Sequence, residues 1–194
     1  MRSAPIVVLI SAVSIAATAQ TPATLDVSGK LSYHVERTFS PGAMAMTGVK
    51  AGYSQWTDSP TEWGQGGSGY SKRVGSSVAS SAIRAGLAFG LDSALHQDPR
   101  YYRSESTGFW PRTAHALRGT ILTRTDSGGE TLSVWRLGSA YGAAFITNQW
   151  YPDRLNTVRH GLVTGSTRIG FDLAKNIIGE FWPDIRKKMS GRRP

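Results

Sequence analysis

Cysteine is absent from this 194-residue chain, which excludes disulfides and any thiolate-based metal or catalytic site. Histidine is scarce, and none of the four histidines has a partner at the His-x-x-x-His spacing typical of helical metal sites. We therefore expect no metal and no other cofactor. Folding must depend on packing alone.

A continuous apolar run long enough to cross a bilayer, about 20 residues, is also missing. The apolar stretch 4–17 is shorter, follows Arg2, and ends in the small residues Ala17-Thr18-Ala19. This pattern is typical of a secretory signal peptide, which we place at residues 1–19. It predicts an exported protein of the periplasm or associated with the outer membrane.

Acidic side chains are few: the chain has 13 Asp and Glu but 22 Lys and Arg, for a net charge of +9. Outside the cytoplasm this excess favours an anionic lipid or an anionic envelope polymer as partner, and an exported protein rarely meets nucleic acid. The alternative is that the charge only keeps the chain soluble.

The rest of the chain predicts a mainly α fold, a compact bundle of about five or six helices. We expect a disordered lead-in at 20–29, a single helical domain at 30–188 and a basic tail at 189–194. Helices are predicted at 41–54, 72–95, 112–122, 132–149 and 157–188, the last interrupted at Pro183. Leu31, Tyr33 and Val35 alternate with polar residues, a pattern that allows a short strand or a short helix.

Small residues form rows on several predicted helices. The longest row runs along 72–95 and comprises Gly75, Ala79, Ala82, Gly86, Gly90 and Ala94. Because glycine inside a helix costs about 1 kcal/mol relative to alanine, such Gly/Ala/Ser-rich faces predict that another backbone approaches closely.

A glycine-rich segment at 56–71 predicts a long loop. The loop acts as a flexible connector, or its backbone amides, with Lys72 and Arg73 at the next helix start, hold a phosphate or sulfate. The polar segment 125–129 predicts a turn between two helices.

Two aromatics precede a proline three times, at 109–111, 150–152 and 181–183. Each proline marks a helix boundary or kink, and the aromatic pairs either pack against helix ends or lie at a membrane interface beside basic side chains. The candidate surface-contact residues are Trp110, Arg112, Trp150, Tyr151, Trp182, Arg186, Lys187 and Lys188.

Titratable groups concentrate near residue 100. His96 with Asp98, Arg100 and His115 provides the residue types of a general acid-base site, which would make the protein a hydrolase or lyase. The alternative is structural: His96 complements a helix C-terminus and Asp98 begins a turn.

Six segments together resemble a group of exported bacterial envelope proteins without an established activity. They are EWGQG (62–66), GYSKR (69–73), DPRYY (98–102), FWPR (109–112), TRTDSG (123–128) and EFWPD (180–184). The resemblance implies a shared fold and envelope residence, and it implies no catalytic residue.

These observations predict a non-enzymatic envelope protein with a structural or binding role at an anionic, membrane-associated surface. The hydrolase or lyase stays open as one alternative. A helical, membrane-inserted homo-oligomer stays open as another.

Overall fold

The computed structural model describes residues 23–191, so the predicted signal peptide and the end of the basic tail, including Arg192 and Arg193, lie outside the described residues. Within this range the chain forms six α-helices, and the prediction of a mainly α bundle is confirmed. The helices are α1 (Val27–Phe39), α2 (Pro41–Trp56), α3 (Gly66–Ala94), α4 (Phe109–Ile121), α5 (Val134–Asn148) and α6 (Val158–Ser190).

Helix α5 lies at the centre of the bundle, between α3 on one side and α6 on the other. Helices α1 and α2 pack on α3, and α4 packs on α6. The connections include two short 3₁₀ turns, Thr61–Trp63 and Asp153–Leu155, and an antiparallel hairpin of β1 (Leu122–Arg124) with β2 (Glu130–Leu132). The turn predicted at 125–129 joins these two strands, and the strands themselves were not predicted.

Local capping signals account for the helix starts. Asp26 accepts a hydrogen bond from the Gly29 amide and begins α1, so part of the predicted disordered lead-in is helical. Ser40 caps α2 and Pro41 occupies its first turn, as expected from the sequence. Helix α6 continues through Pro183 to Ser190, and the expected interruption is not a break.

The predicted loop 56–71 is shorter than expected because its glycine-rich half belongs to α3, which begins at Gly66. Gly69 lies directly against the loop: a methyl group at this position would be 2.1 Å from the Gly64 carbonyl oxygen. The remaining loop is held by Arg73, which is buried and donates hydrogen bonds to the carbonyls of Ser59, Pro60 and Gly64. The alternative of a phosphate site that uses Arg73 is wrong, since its guanidinium is occupied by the protein.

The bundle buries mainly polar side chains and exposes many large apolar ones. Among residues 23–191, the buried apolar side chains are six alanines, Trp135, Pro60 and Pro99, whereas eighteen buried residues are polar or charged. In the same described residues, twenty-eight large apolar or aromatic residues are exposed, and they occur on all six helices. A protein that is surrounded by water usually has a mainly apolar core and exposes fewer of its large apolar side chains.

Some of the predicted small residues lie where two helices pack closely, and others do not. Gly138 and Gly142 on α5 pack against Leu91 and Leu87 of α3, as the expectation of tight packing requires. In contrast, Gly75, Gly86 and Gly90 on α3 have no neighbour within the described residues 23–191 that a methyl group would touch. The long small-residue row of α3 therefore faces outward, and its predicted contact is not made within the part of the chain that the structure describes.

Two alanine substitutions should separate these classes of glycine. A methyl group at Gly165 would lie 2.2 Å from Tyr141 Cδ1, so we expect Gly165→Ala to lower the free energy of unfolding by about 1–3 kcal/mol. Gly86→Ala adds its methyl group in open space, and we expect it to raise that free energy by about 0.5–1 kcal/mol. Urea denaturation followed by circular dichroism measures both, and equal effects of the two would contradict the packing described here.

Candidate functional site

Two of the three aromatic-proline segments meet at one end of the molecule. The rings of Phe109, at the start of α4, and Phe181, near the end of α6, stack with centroids 5.3 Å apart. Arg112 lies 4.4 Å above the Phe181 ring and forms an ion pair with Asp184. The first and third segments therefore form one unit, built from the antiparallel contact of α4 with α6.

This unit points its largest aromatic rings outward. Trp110 is 76% exposed and Trp182 is 53% exposed, and Ile185 and Met189 continue the exposed apolar stripe along α6. Arg186, Lys187 and Lys188 are exposed on the same last turns. We call Trp110, Trp182 and residues 185–189 the aromatic-basic end.

Arg112 differs from the other candidate contact residues because its side chain turns inward. Only 14% of the side chain is exposed, and its Nε lies 3.5 Å from Oε2 of the buried Glu180. Arg112 also lowers the pKa of Asp184 through their hydrogen bond. Its role is to hold α4 on α6, so the exposed basic groups of this end come from α6.

The second segment lies at the opposite end. Trp150 donates its indole N–H to Ser76 Oγ at 2.9 Å, and the Tyr151 ring packs on Trp63 at 4.9 Å. The start of α6 at Val158 and Trp182 are 24 residues apart along one helix, a separation of about 36 Å at 1.5 Å per residue. Aromatic side chains thus mark both ends of the bundle.

An open groove of about 510 Å³ adjoins Trp63, Trp150 and Tyr151. Its rim carries an ion pair in which Arg154 Nε donates to Glu62 Oε1 at 2.5 Å. The hydrogen bond from Arg154 lowers the pKa of Glu62 to about 2. A smaller groove of about 340 Å³ adjoins Phe109 and Phe181 at the other end.

The candidate catalytic residues do not converge on one point. His96 has a left-handed backbone (φ 51°) and an 81% exposed side chain, and its nearest carboxylate is Asp126 at 3.8 Å. Asp98 is buried and accepts hydrogen bonds from Arg100 and from the Tyr102 hydroxyl at 2.7 Å. His96 is therefore not oriented by Asp98, as a general base in that pair would need to be.

Asp98, Arg100 and Tyr102 instead form a structural unit. Burial alone raises the pKa of Asp98, but hydrogen bonds from Arg100 outweigh it and the pKa is lowered. Burial and the bond to Asp98 raise the pKa of Tyr102 to about 12. His115, the fourth candidate, is bonded through Nε2 to the Tyr102 carbonyl at 2.9 Å, so it too supports this loop.

A buried ionic network, which was not predicted from the sequence, connects α1, α3 and the hairpin. His34 Nε2 lies 2.5 Å from Asp92 Oδ2, and Lys30 Nζ donates to Asp126 Oδ2 at 2.7 Å and to the Asp92 carbonyl at 3.2 Å. The available signal was the spacing of Lys30 and His34, which places both on one helical face. Within residues 23–191, no group of three or more His, Asp or Glu is arranged to hold a metal ion.

Glu180 was also missed. It is fully buried, and its Oε1 accepts hydrogen bonds from the Tyr101 hydroxyl at 2.5 Å and from the Ser104 amide at 2.8 Å. Glu180 thereby ties the segment that follows Asp98 to α6.

One described helix, α3, is long and apolar enough to cross a membrane, and only 17% of its most apolar window is buried in the bundle. Comparison of the chain with protein-family models, with curated proteins and with solved structures finds no match.

Proposed function

We propose that this protein is a non-enzymatic component of the bacterial cell envelope that functions by associating with an anionic membrane surface. The observation that carries the proposal is the reversed polarity of the bundle, with large apolar side chains outside and polar side chains inside. Apolar surface of this extent marks a region that contacts lipid or another protein.

The aromatic-basic end supports the proposal that this end of the protein contacts the membrane. Tryptophan is favoured at the boundary between hydrocarbon and headgroups, where its apolar ring and polar N–H both find partners. Each lysine or arginine near an anionic membrane contributes about 1 kcal/mol of attraction. Trp110, Trp182, Lys187 and Lys188 combine both features on one surface.

A second candidate is a helical assembly inserted in the membrane. It is favoured by α3, whose 29 residues span about 43 Å and whose small-residue row is open. Rows of small residues allow close backbone contact between helices in lipid, and Gly75, Gly86 and Gly90 offer such a row to a second copy of the chain.

Flotation with lipid vesicles tests both candidates. Purified residues 20–194 are mixed with phosphatidylcholine vesicles, or with vesicles that also contain phosphatidylglycerol, at low and high salt. For the surface protein we expect flotation only with the anionic vesicles and release by high salt, because salt screens the attraction. Flotation that resists salt and alkaline carbonate supports the inserted assembly, and a protein that never floats contradicts both.

Matched variants locate the contact. Replacement of Trp110 and Trp182 by Ser, together with Lys187→Gln and Lys188→Gln, should reduce the fraction bound to anionic vesicles at least tenfold. The control carries Trp56→Ser and Tyr53→Ser, two exposed rings on α2, with Lys72→Gln and Arg159→Gln. Equal losses in the two proteins would contradict the assignment to the aromatic-basic end.

A further inference from the structure

A groove between α3 and α6 carries several basic side chains and few acidic side chains to balance their charge. Both helices pack on α5, and α2 packs on α3. Four basic side chains belong to it, and we call them the cationic seam: Lys50 on α2, Arg84 on α3, and Arg168 and Lys175 on α6.

Hydrogen bonds across the groove fix the two guanidinium groups. Arg84 donates to Asp172 on α6, and Arg168 donates to Ser80 on α3 and to the Ala140 carbonyl on α5. Ser80 and Arg84 are four residues apart on α3, as Arg168 and Asp172 are on α6. The two guanidinium groups therefore lie about one helical turn apart, on the same groove.

The two lysines extend this arrangement. Lys175 follows Asp172 by three residues and lies on the same side of α6. Partial burial and repulsion from Arg168 lower the pKa of Lys50, and burial together with the nearby Arg84 lowers the pKa of Arg168 to about 10. The cations of the seam thus destabilise one another's charged forms.

Asp172 is the one carboxylate paired with the seam in the part of the chain that the structure describes. Within residues 23–191, Lys50, Arg168 and Lys175 form no ion pair, and neither lysine ammonium donates a hydrogen bond to the protein. Of the guanidinium nitrogens of Arg84, only Nη2 donates a hydrogen bond within these residues. Four cations against one carboxylate leave an excess of three charges, and the side chains of Lys50 and Lys175 are exposed and accessible to an anion.

We propose that the cationic seam binds a phosphate group. Phosphate oxygens accept several charge-assisted hydrogen bonds at once, and guanidinium groups match their geometry with paired N–H donors. Folding alone does not require clustered cations with unused donors, whereas an anion would compensate their charge. A phospholipid headgroup and free phosphate share this chemistry. The site does not depend on the proposed membrane association, because the groove exists in the single chain.

The test uses a double variant, Lys50→Gln with Lys175→Gln. These lysines make no hydrogen bond within residues 23–191, so we expect the variant to fold and to melt at the same or a higher temperature without phosphate. Inorganic phosphate, titrated against the full chain in detergent micelles at constant ionic strength, should bind the variant at least tenfold more weakly than the parent. The control, Lys72→Gln with Arg159→Gln, removes the same charge from exposed positions outside the seam and should bind like the parent.

A lipid arm distinguishes the two sources of phosphate. In the same micelles, native mass spectrometry compares phosphatidic acid with diacylglycerol of the same chains, which lacks only the phosphate. Seam-dependent binding of phosphatidic acid without binding of inorganic phosphate identifies a lipid headgroup, and binding of both identifies a site that accepts free phosphate. If neither probe binds, or if the seam variant and the control lose equally, the proposal is overturned. Failure of flotation leaves the inorganic phosphate result unaffected.

Discussion

Glu180→Ala should lower the free energy of unfolding by about 3–5 kcal/mol, measured by urea denaturation. The wild-type carboxylate is fully buried, accepts hydrogen bonds from Tyr101 and Ser104, and lies 3.5 Å from Arg112 Nε. Removing one partner from a buried ionic cluster leaves the others uncompensated, and this loss is larger than the net value of the intact bonds.

Glu180→Gln is the matched control. Glutamine retains an acceptor oxygen for Tyr101 and Ser104 while it removes the charge opposite Arg112. We expect its cost to be well below that of alanine, since Arg112 keeps its ion pair with Asp184. An alanine variant that loses less than about 1 kcal/mol would show that the Glu180 cluster does not hold α6 to the Tyr101 segment.

Arg73→Met should cost a similar amount, about 3–5 kcal/mol, and should open the loop 57–65. The Arg73 side chain donates to three backbone carbonyls of this loop and to Gln55 Oε1 at 2.6 Å, and Asp58 lies 3.3 Å away. Methionine fills much of the same space but donates nothing, so the three carbonyls lose their partners, and that of Pro60 is left in a buried position. Urea denaturation gives the global cost, and limited proteolysis reports the loop.

Lys72→Met provides the control for this experiment. Lys72 is the neighbouring residue on α3 and is exposed, so we expect its replacement to change stability by no more than about 0.5 kcal/mol. Cleavage within 57–65 should increase in the Arg73 variant alone. Similar cleavage of both variants would mean that the loop is not organised by the Arg73 hydrogen bonds.

The helices were predictable where local signals act. Ser40 and Pro41 mark the start of α2 in the sequence as they do in the structure, and Thr157 caps α6 at the predicted boundary. Such signals depend on side chains within three residues of the helix start. They therefore need no knowledge of the tertiary fold.

The orientation of α1 was not predictable in the same way. Alternation suggested Leu31, Tyr33 and Val35 as one face, yet Leu31 and Val35 are exposed and the buried residues are Lys30 and His34. Their burial depends on Asp92 and Asp126, which lie 58 and 96 residues away along the chain. The usual assumption that apolar residues face inward is wrong for this bundle, because its buried side chains are mainly polar.

The candidate site was predictable in part. The repeated aromatic-proline segments identified Trp110 and Trp182, which are exposed, but proximity of the first and third segments follows from the antiparallel packing of α4 on α6. The seam was not found because its residues come from three helices. No local pattern connects Lys50 to Arg168.

The exposed apolar side chains of the folded bundle affect its thermodynamics as well as its contacts. The heat capacity of unfolding increases with the apolar surface that becomes hydrated, and here much of that surface is hydrated already in the folded chain in water. The curve of stability against temperature should therefore be flatter than for a domain of equal length with a leucine-rich core. Such a chain loses little stability on cooling, because fading hydrophobic attraction contributes less to its folding.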